Sequence, residues 1–456
     1  MPEIANSVIP SRAPLFSTRK IVHMSMLIFA FLLPYLTWKQ AAGCALLALL
    51  FNVVVLPRLG ADLRKNPVDG PGAGIWTGIM IYPVSVLALI LLYRHDLYIV
   101  AAAWAIMALG DGTAGVVGSA LGGPALPWNA KKTWAGFAAF VLAGTAGAYV
   151  LMRWAAPPQV MPEIALRISA AAALVGAMVE SVPIRLDDNA SVPLVVGGFI
   201  YCLHFVERGA FDSNLPFLGR RVLLAVAVNL ALAGVALGMK TVNRSGAMCG
   251  FLLGVAVYLG WGYKSFLLIF AFFVIGSIAT KVGYARKLAR GVAERRGGAR
   301  SWREAVANSL AGAFFALLVI TTHHEYAFLL ALIAAFAEAA GDTVSSEIGQ
   351  YISDRSYLIT TFKPVPAGED GGITVGGTLA GALASTLVVA LGFSLALCGR
   401  GGAVAALAAA VAGNLFDSLL GATLERRGLV TNGIVNFAGT SFAGAMALSV
   451  ALHLGY

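Results

Sequence analysis

Charge is what this sequence has least of. Of its 456 residues only 12% are Asp, Glu, Lys or Arg, while 59% are apolar. A soluble globular domain carries about 25% charged residues. A chain of this length with half that proportion cannot cover itself with a water-compatible surface. The shortage excludes a soluble enzyme, a disordered chain and a nucleic-acid binder with an exposed basic face. Cysteine is scarce too. Cys44, Cys202, Cys249 and Cys398 are far apart in apolar surroundings and form no CxxC pair, so neither a zinc site nor a redox dithiol is expected. His323-His324-Glu325 lacks the HExxH spacing, and there is no GxxxxGK[ST] loop, which sets aside a zincin and a P-loop kinase. The short alternating segments of a membrane β-barrel are also missing.

What the sequence has instead is a series of apolar runs. Crossing a bilayer takes about 20 mostly apolar residues per helix. Candidates lie near 21–38, 41–56, 75–93, 98–110, 134–152, 165–180, 192–206, 222–239, 246–260, 265–280, 306–321, 327–341, 373–398, 403–421 and 436–454. The expected fold is all-α: a polytopic helical membrane protein of about 15 transmembrane helices in two related halves, residues 1–240 and 241–456. Arg12, Arg19 and Lys20 precede the first run with no clear small-residue cleavage motif after it, which reads as a retained first helix.

The net charge of +10 records topology. With the N-terminus inside and alternating helices, the inner segments hold 23 of the 32 Lys and Arg residues, as the positive-inside rule requires. The expected location is a bacterial inner membrane, with the N-terminus and the acidic motifs below on the cytoplasmic side. The most polar segment, Lys281–Glu304, has eight basic and two acidic residues. It reads as a solvated topology anchor resting on anionic lipid, in preference to part of a site.

Four polar blocks recur in the same order in each half, the kind of self-similarity that marks duplication. Gly110-Asp111-Gly112-Thr113 answers Gly341-Asp342-Thr343, and Thr133-Trp134-Ala135-Gly136 answers Thr378-Leu379-Ala380-Gly381. Gly176 to Ser181 answers Gly413 to Ser418, and Asn189 to Val192 answers Asn432 to Val435. The second half carries an insertion, Ile359 to Gly372, between its first two blocks.

An ionised Asp at the end of an apolar helix is costly unless paired, hydrated or bound to metal. Asp111 and Asp342 both follow a Gly at such an end; later helix ends bring Glu180, Asp187, Asp188 and Asp417. The intervening loops bring Lys131 and Lys132 in one half and Lys363 in the other. This combination suits Mg²⁺–phosphate chemistry: hard oxygens take the metal, Lys offsets phosphate charge, and Gly lets backbone amides approach. The bland alternative is a set of ordinary cytoplasmic loops. Asp111–Lys132 and Asp342–Lys363 are both 21 residues apart, which favours phosphate chemistry. Pro364 and Pro366 fix φ, and Pro364 disfavours helix at Lys363, so that ammonium is expected on an extended segment aimed at phosphate. Gly371-Gly372 would let amides close on the same group.

Within residues 104–200, Leu109 to Ala114, Asn129 to Gly136, Glu180 to Pro183 and Asp187 to Pro193 resemble the phytol/dolichol kinase family of membrane CTP-dependent lipid-alcohol kinases, relatives of phosphatidate cytidylyltransferases. Residues 225–456 are similar to a second integral-membrane family, typified by phytyl-phosphate kinase, through Gly341 to Gly349, Ile359 to Gly372, Gly413 to Thr423 and Asn432 to Ser441. Gly341 stands where that pattern has Ala or Asn.

The two resemblances imply consecutive steps: phosphorylation of an isoprenoid alcohol of phytol, geranylgeraniol or farnesol type, then of its monophosphate to the diphosphate. They imply CTP as donor, with other nucleoside triphosphates open for the second step, Mg²⁺ as cofactor, membrane lipid as surroundings and no nucleic acid. The candidate catalytic acids are Asp111, Asp188, Asp342 and Asp417. Candidate metal ligands are Asp111, Glu180, Asp187, Asp342, Glu347, Asp370 and Asp417. Substrate contacts are expected from Lys131, Lys132, Asn189, Lys363, Gly371, Gly372, Asn432 and Asn436. Which acid is base and which is ligand stays open. The alternatives are a cytidylyltransferase forming a CDP-lipid, which would release pyrophosphate, and a two-repeat transporter. Against the transporter, the acids cluster at helix ends, with Glu338 the exception.

Overall fold

Lipid offers no hydrogen-bond partner to a backbone N–H or C=O, so an apolar run in a membrane satisfies its own backbone as helix. Each of the fifteen apolar runs does so in the computed structural model, which describes residues 18–59, 77–157, 160–294 and 298–455. Arg12, Arg64, Lys65, Arg295 and Arg296 lie outside the described residues. Among the described residues, ten helices are long and apolar enough to cross a membrane. Three more, Ile21–Tyr35, Met80–Leu92 and Asp188–Leu203, are apolar but shorter. The expected fifteen spans are therefore fifteen helices, of which ten reach full spanning length with sufficient hydropathy. The all-α polytopic fold is as expected.

The chain forms two units, one ending at His204 and the other starting at Phe205. This differs from a division at 240. The helix Arg208–Gly238 packs on the next helix, Arg244–Trp261. There, Arg221 Nη1 donates to the carbonyls of Leu259 and Gly260, each at 3.2 Å.

Each unit is built around one helix buried on all sides. In the first it is Leu97–Leu121, where every residue from Tyr98 to Ala108 is buried. In the second it is Glu325–Ile352, buried without a break from Ala327 to Gly341. Both runs are rich in alanine, and small side chains let neighbouring helices approach closely in lipid. Asp111 lies within the first of these helices and Asp342 within the second, not at the helix ends that the sequence suggested, because each helix continues for ten residues beyond its acid.

A short sheet follows each central helix. In the first unit β1 (Ala125–Leu126) and β2 (Asn129–Thr133) form an antiparallel pair. In the second, β3 (Arg355–Leu358), β4 (Pro364–Pro366) and β5 (Gly372–Ile373) make an antiparallel sheet of order β4-β3-β5. Pro364 and Pro366 sit on an edge strand, the place in a sheet that tolerates a residue without an N–H.

A threonine-capped, glycine-led helix comes next in each unit. Thr133 Oγ1 accepts from Gly136 N at 3.2 Å, and Thr374 Oγ1 accepts from Gly377 N at 3.0 Å. Gly136 packs beside Gly118 and against the Ala114 carbonyl, and Gly377 beside Gly349 and against the Ser345 carbonyl, where a side chain would need adjustment. The two units thus share this arrangement. The partner of the Thr133 block is Thr374 to Gly377, four residues before the stretch the sequence pattern aligned with it.

Candidate active sites

In the first unit the central helix widens into a π turn over Ile106–Asp111, a distortion frequent at functional sites. The turn delivers Asp111 to a group with Glu180 and Asp188, one carboxylate oxygen of each lying within 4.8 Å of the others. Glu180 is buried at the end of the helix Pro162–Ser181, and Asp188 opens the helix Asp188–His204. The β1–β2 hairpin is pinned to this group: Trp128 Nε1 donates to Ser181 Oγ, and Asn129 Nδ2 donates to the Ser181 carbonyl, both at 3.0 Å.

Successive strand residues face opposite ways, so of the two adjacent lysines only Lys132 turns inward. Its Nζ is hydrogen-bonded to Glu180 Oε1 and lies 3.8 Å from Asp188 Oδ2. Burial works against the Lys132 ammonium, but the carboxylates of Glu180, Asp188 and Asp111 outweigh it and hold its pKa above the ordinary lysine value. Lys131 is exposed on the other face.

Asp187 does not join the cluster. Its Oδ1 accepts from Asn189 N at 2.9 Å and caps the following helix, so the third carboxylate is Asp188 and not the neighbour expected among the metal ligands. Asn189 is buried, and its Oδ1 has no hydrogen-bond partner. His23 was not anticipated. Its Nε2 is buried without a hydrogen-bond partner, 3.8 Å from Asp111 Oδ2. The ring stands edge-on to Tyr82, whose hydroxyl accepts from Trp104 Nε1 at 2.6 Å.

In the second unit a polar cavity of about 800 Å³ opens beside the central helix. It is lined by Asp342, Glu347, Asp370, Gly371, Gly372, Asp417, Asn432 and Asn436, every second-half candidate except Lys363. Lys363 is exposed where the chain turns from β3 to β4, and its side chain is not part of the cavity wall. Gly371 has φ +72, and a Cβ there would collide with Ala422. The Gly368–Gly372 loop can therefore close on the π turn Gly421–Glu425 only with glycine at 371.

Asp342 and Asp417 line the cavity, and Glu338 is buried behind them without forming part of the wall. Glu338 and Asp342 are one turn apart on one face of the central helix. Asp417 comes from the helix Arg400–Leu420. Gly439 packs against both Glu338 Oε1 and Asp417 Oδ2, which are buried without hydrogen-bond partners. Glu347, expected as a metal ligand, is instead in a buried ion pair with Lys287 while still facing the cavity.

The segment read as a topology anchor contributes to the wall. Glu294, Arg300, Arg303 and Glu304 all line the cavity, as do Asn308 and Glu425. Asn308 Oδ1 accepts from Asn436 Nδ2 at 3.2 Å. The one sequence signal for these residues was polar side chains, such as Asn308, within or beside apolar helices.

The residues present fit a hard divalent cation. Three carboxylates converge around one lysine in the first unit, and buried acceptor oxygens stand unpartnered in the second. Hard oxygen donors of this kind suit Mg²⁺.

Fold and sites together define a polytopic helical membrane protein with a carboxylate cluster in its first unit and buried, unpartnered carboxylate oxygens in its second. The chain belongs to the DUF92 family of integral membrane proteins, whose model matches residues 227–449. It is 35% identical over 235 residues to an uncharacterized membrane protein of Synechocystis, a match covering 50% of this chain and 90% of that one. With the chloroplast protein VTE6 of Arabidopsis thaliana it shares 38% identity over 234 residues, 49% of this chain and 70% of the relative. Phytol kinase 1 of Arabidopsis thaliana chloroplasts is 28% identical over 199 residues, 39% of this chain and 63% of that protein. No solved structure matches the chain significantly.

Proposed function

We propose that the protein is a membrane prenol kinase with two sites. The first unit would transfer a phosphoryl group from a nucleoside triphosphate, with CTP as the expected donor, to an isoprenoid alcohol. The second would add another to the monophosphate, giving the diphosphate. The observation that carries this reading is the convergence of Asp111, Glu180 and Asp188 on one point beside Lys132. A relative named phytol kinase supports the substrate class. The positive-inside count supports a cytoplasmic face for the sites in this reading.

In the first unit Asp111, Glu180 and Asp188 would hold Mg²⁺; in the second, Asp342 and Asp417 of the cavity wall would. Bound there, the ion neutralises charge on the transferring phosphoryl group. The chain's own residues supply the rest. Lys132 offsets phosphate charge. Asp111 Oδ2, with His23 Nε2 3.8 Å away, takes the proton as the alcohol O–H bond breaks, the new O–P bond forms, and the donor's β–γ P–O bond breaks to release the nucleoside diphosphate. In the second unit Gly371 and Gly372 leave room for a phosphate beside the backbone, and Asn432 and Asn436 would face it.

The test uses purified protein, γ-labelled CTP and a C20 alcohol. Label should appear first in the monophosphate and then in the diphosphate, with CDP released. Chelation should stop transfer, and Mg²⁺ should restore it. Release of pyrophosphate, or no label in lipid with any nucleoside triphosphate, would overturn the reading.

A further inference from the structure

The second unit holds another cavity, different in chemistry from the first. It is a groove of about 350 Å³, within the range of small-molecule sites. Its walls are the helices Arg208–Gly238, Arg244–Trp261 and Tyr263–Lys281, and its lining is mostly apolar, with Phe266, Phe270, Phe272 and Phe273 along one side. At one end it meets the polar cavity, for Arg300, Ser301 and Glu304 line both.

Arg300 therefore stands at the junction of an apolar and a polar compartment. Its guanidinium lies over the Phe272 ring, 5.1 Å from the centroid. Among the described residues no carboxylate comes within ion-pair distance of it; Glu294, Glu304 and Glu347 act on it only from further away. The nearest of these in sequence, Glu304, accepts from Ser301 N at 2.7 Å in the cap of its own helix. A cation held on an aromatic ring and not paired off is available to an incoming anion. Guanidinium suits phosphate, which its donors can meet in pairs.

We propose that this junction is the binding site of a single-chain isoprenoid monophosphate. The phosphate sits on Arg300, facing the polar cavity, and the head-proximal part of the chain lies in the phenylalanine-lined groove. A neutral alcohol would use the groove without the arginine, and inorganic phosphate the arginine without the groove. Only a molecule with both parts fills the site. The inference rests on the proposed function and deepens it, since it assigns the acceptor of the second step its place.

The test is binding without nucleotide, so it is independent of catalysis. The full chain, purified in detergent, is titrated with a labelled C20 prenyl monophosphate. The C20 alcohol, a C5 monophosphate, inorganic phosphate and phosphatidic acid serve as competitors. Arg300→Gln should weaken binding of the C20 monophosphate about tenfold or more, the loss of a charge-assisted contact to phosphate, and leave the C20 alcohol unaffected. Gly250 lines the groove with open space around the position of a Cβ, so Gly250→Leu fills the groove without colliding with the fold. It should weaken the C20 monophosphate by about tenfold through steric exclusion and leave the C5 monophosphate unchanged. Unaltered thermal midpoints establish that both variants fold. Unchanged C20 monophosphate binding in either folded variant overturns the proposal, as does equal displacement by phosphatidic acid, which would make the groove a bilayer-lipid site. If binding behaves as expected but no nucleotide phosphorylates the bound lipid, the functional reading fails and the site stands.

Discussion

Asp187 caps a helix through Oδ1, whereas its neighbour Asp188 faces Lys132 and the other two acids. Asp188→Asn should therefore slow alcohol phosphorylation by about 1,000-fold, the usual scale for a lost metal-site carboxylate. Asp187→Ala should instead cost about 1 kcal/mol of stability, the worth of a cap, with the rate near wild type. Parallel rate and thermal-unfolding measurements check both. Sequence spacing placed both acids near the site but could not assign them, because one residue at a helix start decides which carboxylate caps and which is free. Lys363 was drawn in by the matching interval of 21 residues. Antiparallel pairing of β3 with β4 carries it to an exposed turn, and the glycines of the same insertion return to the cavity through β5. Lys363→Ala should leave monophosphate phosphorylation kinetics near wild type; a rise in KM of tenfold or more would return it to the site.

At the scale of elements, the helices were legible because lipid leaves a backbone few choices, and hydropathy records the outcome. The short sheets were not, since β1, β4 and β5 span only two or three residues each. Their positions depend on what they pack against. Gly371 shows this dependence. Its φ of +72 and the nearness of Ala422 join the β5 loop to the π turn, and neither is visible in a glycine-rich sequence. Gly371→Ala should cost about 1–3 kcal/mol, as expected for an L residue held in a strained conformation. It should lower the second phosphorylation and leave the first intact. Thermal unfolding read beside separate assays of the two steps checks this; equal loss of both steps would count against a local effect.

For the whole molecule, the same order of elements recurs in each unit: central acid-bearing helix, small sheet, threonine-capped helix, then further acids. The exact alignment needed the structure, which pairs Thr133 with Thr374 through their matching caps. Part of the segment Lys281–Glu304 lines the cavity, which its composition cannot show. Eight basic residues look the same whether they meet lipid headgroups or a cavity, and only folding brings Arg300 to Phe272 and Lys287 to Glu347. Glu338, buried with an unpartnered oxygen, was visible as an acid inside an apolar helix, but its nearness to Asp417 was not.

In the proposed function each unit would hold its own phosphoryl-transfer site. The most direct measurement follows labelled phosphate from CTP into a C20 alcohol and, separately, into its monophosphate, for wild type, Asp111→Asn and Asp417→Asn. Asp111→Asn should lower alcohol phosphorylation by about 1,000-fold and leave the monophosphate reaction unchanged. Asp417→Asn should do the reverse, so that monophosphate accumulates from the alcohol. Loss of both reactions in either folded variant would contradict the account, since it would mean one composite site in place of two.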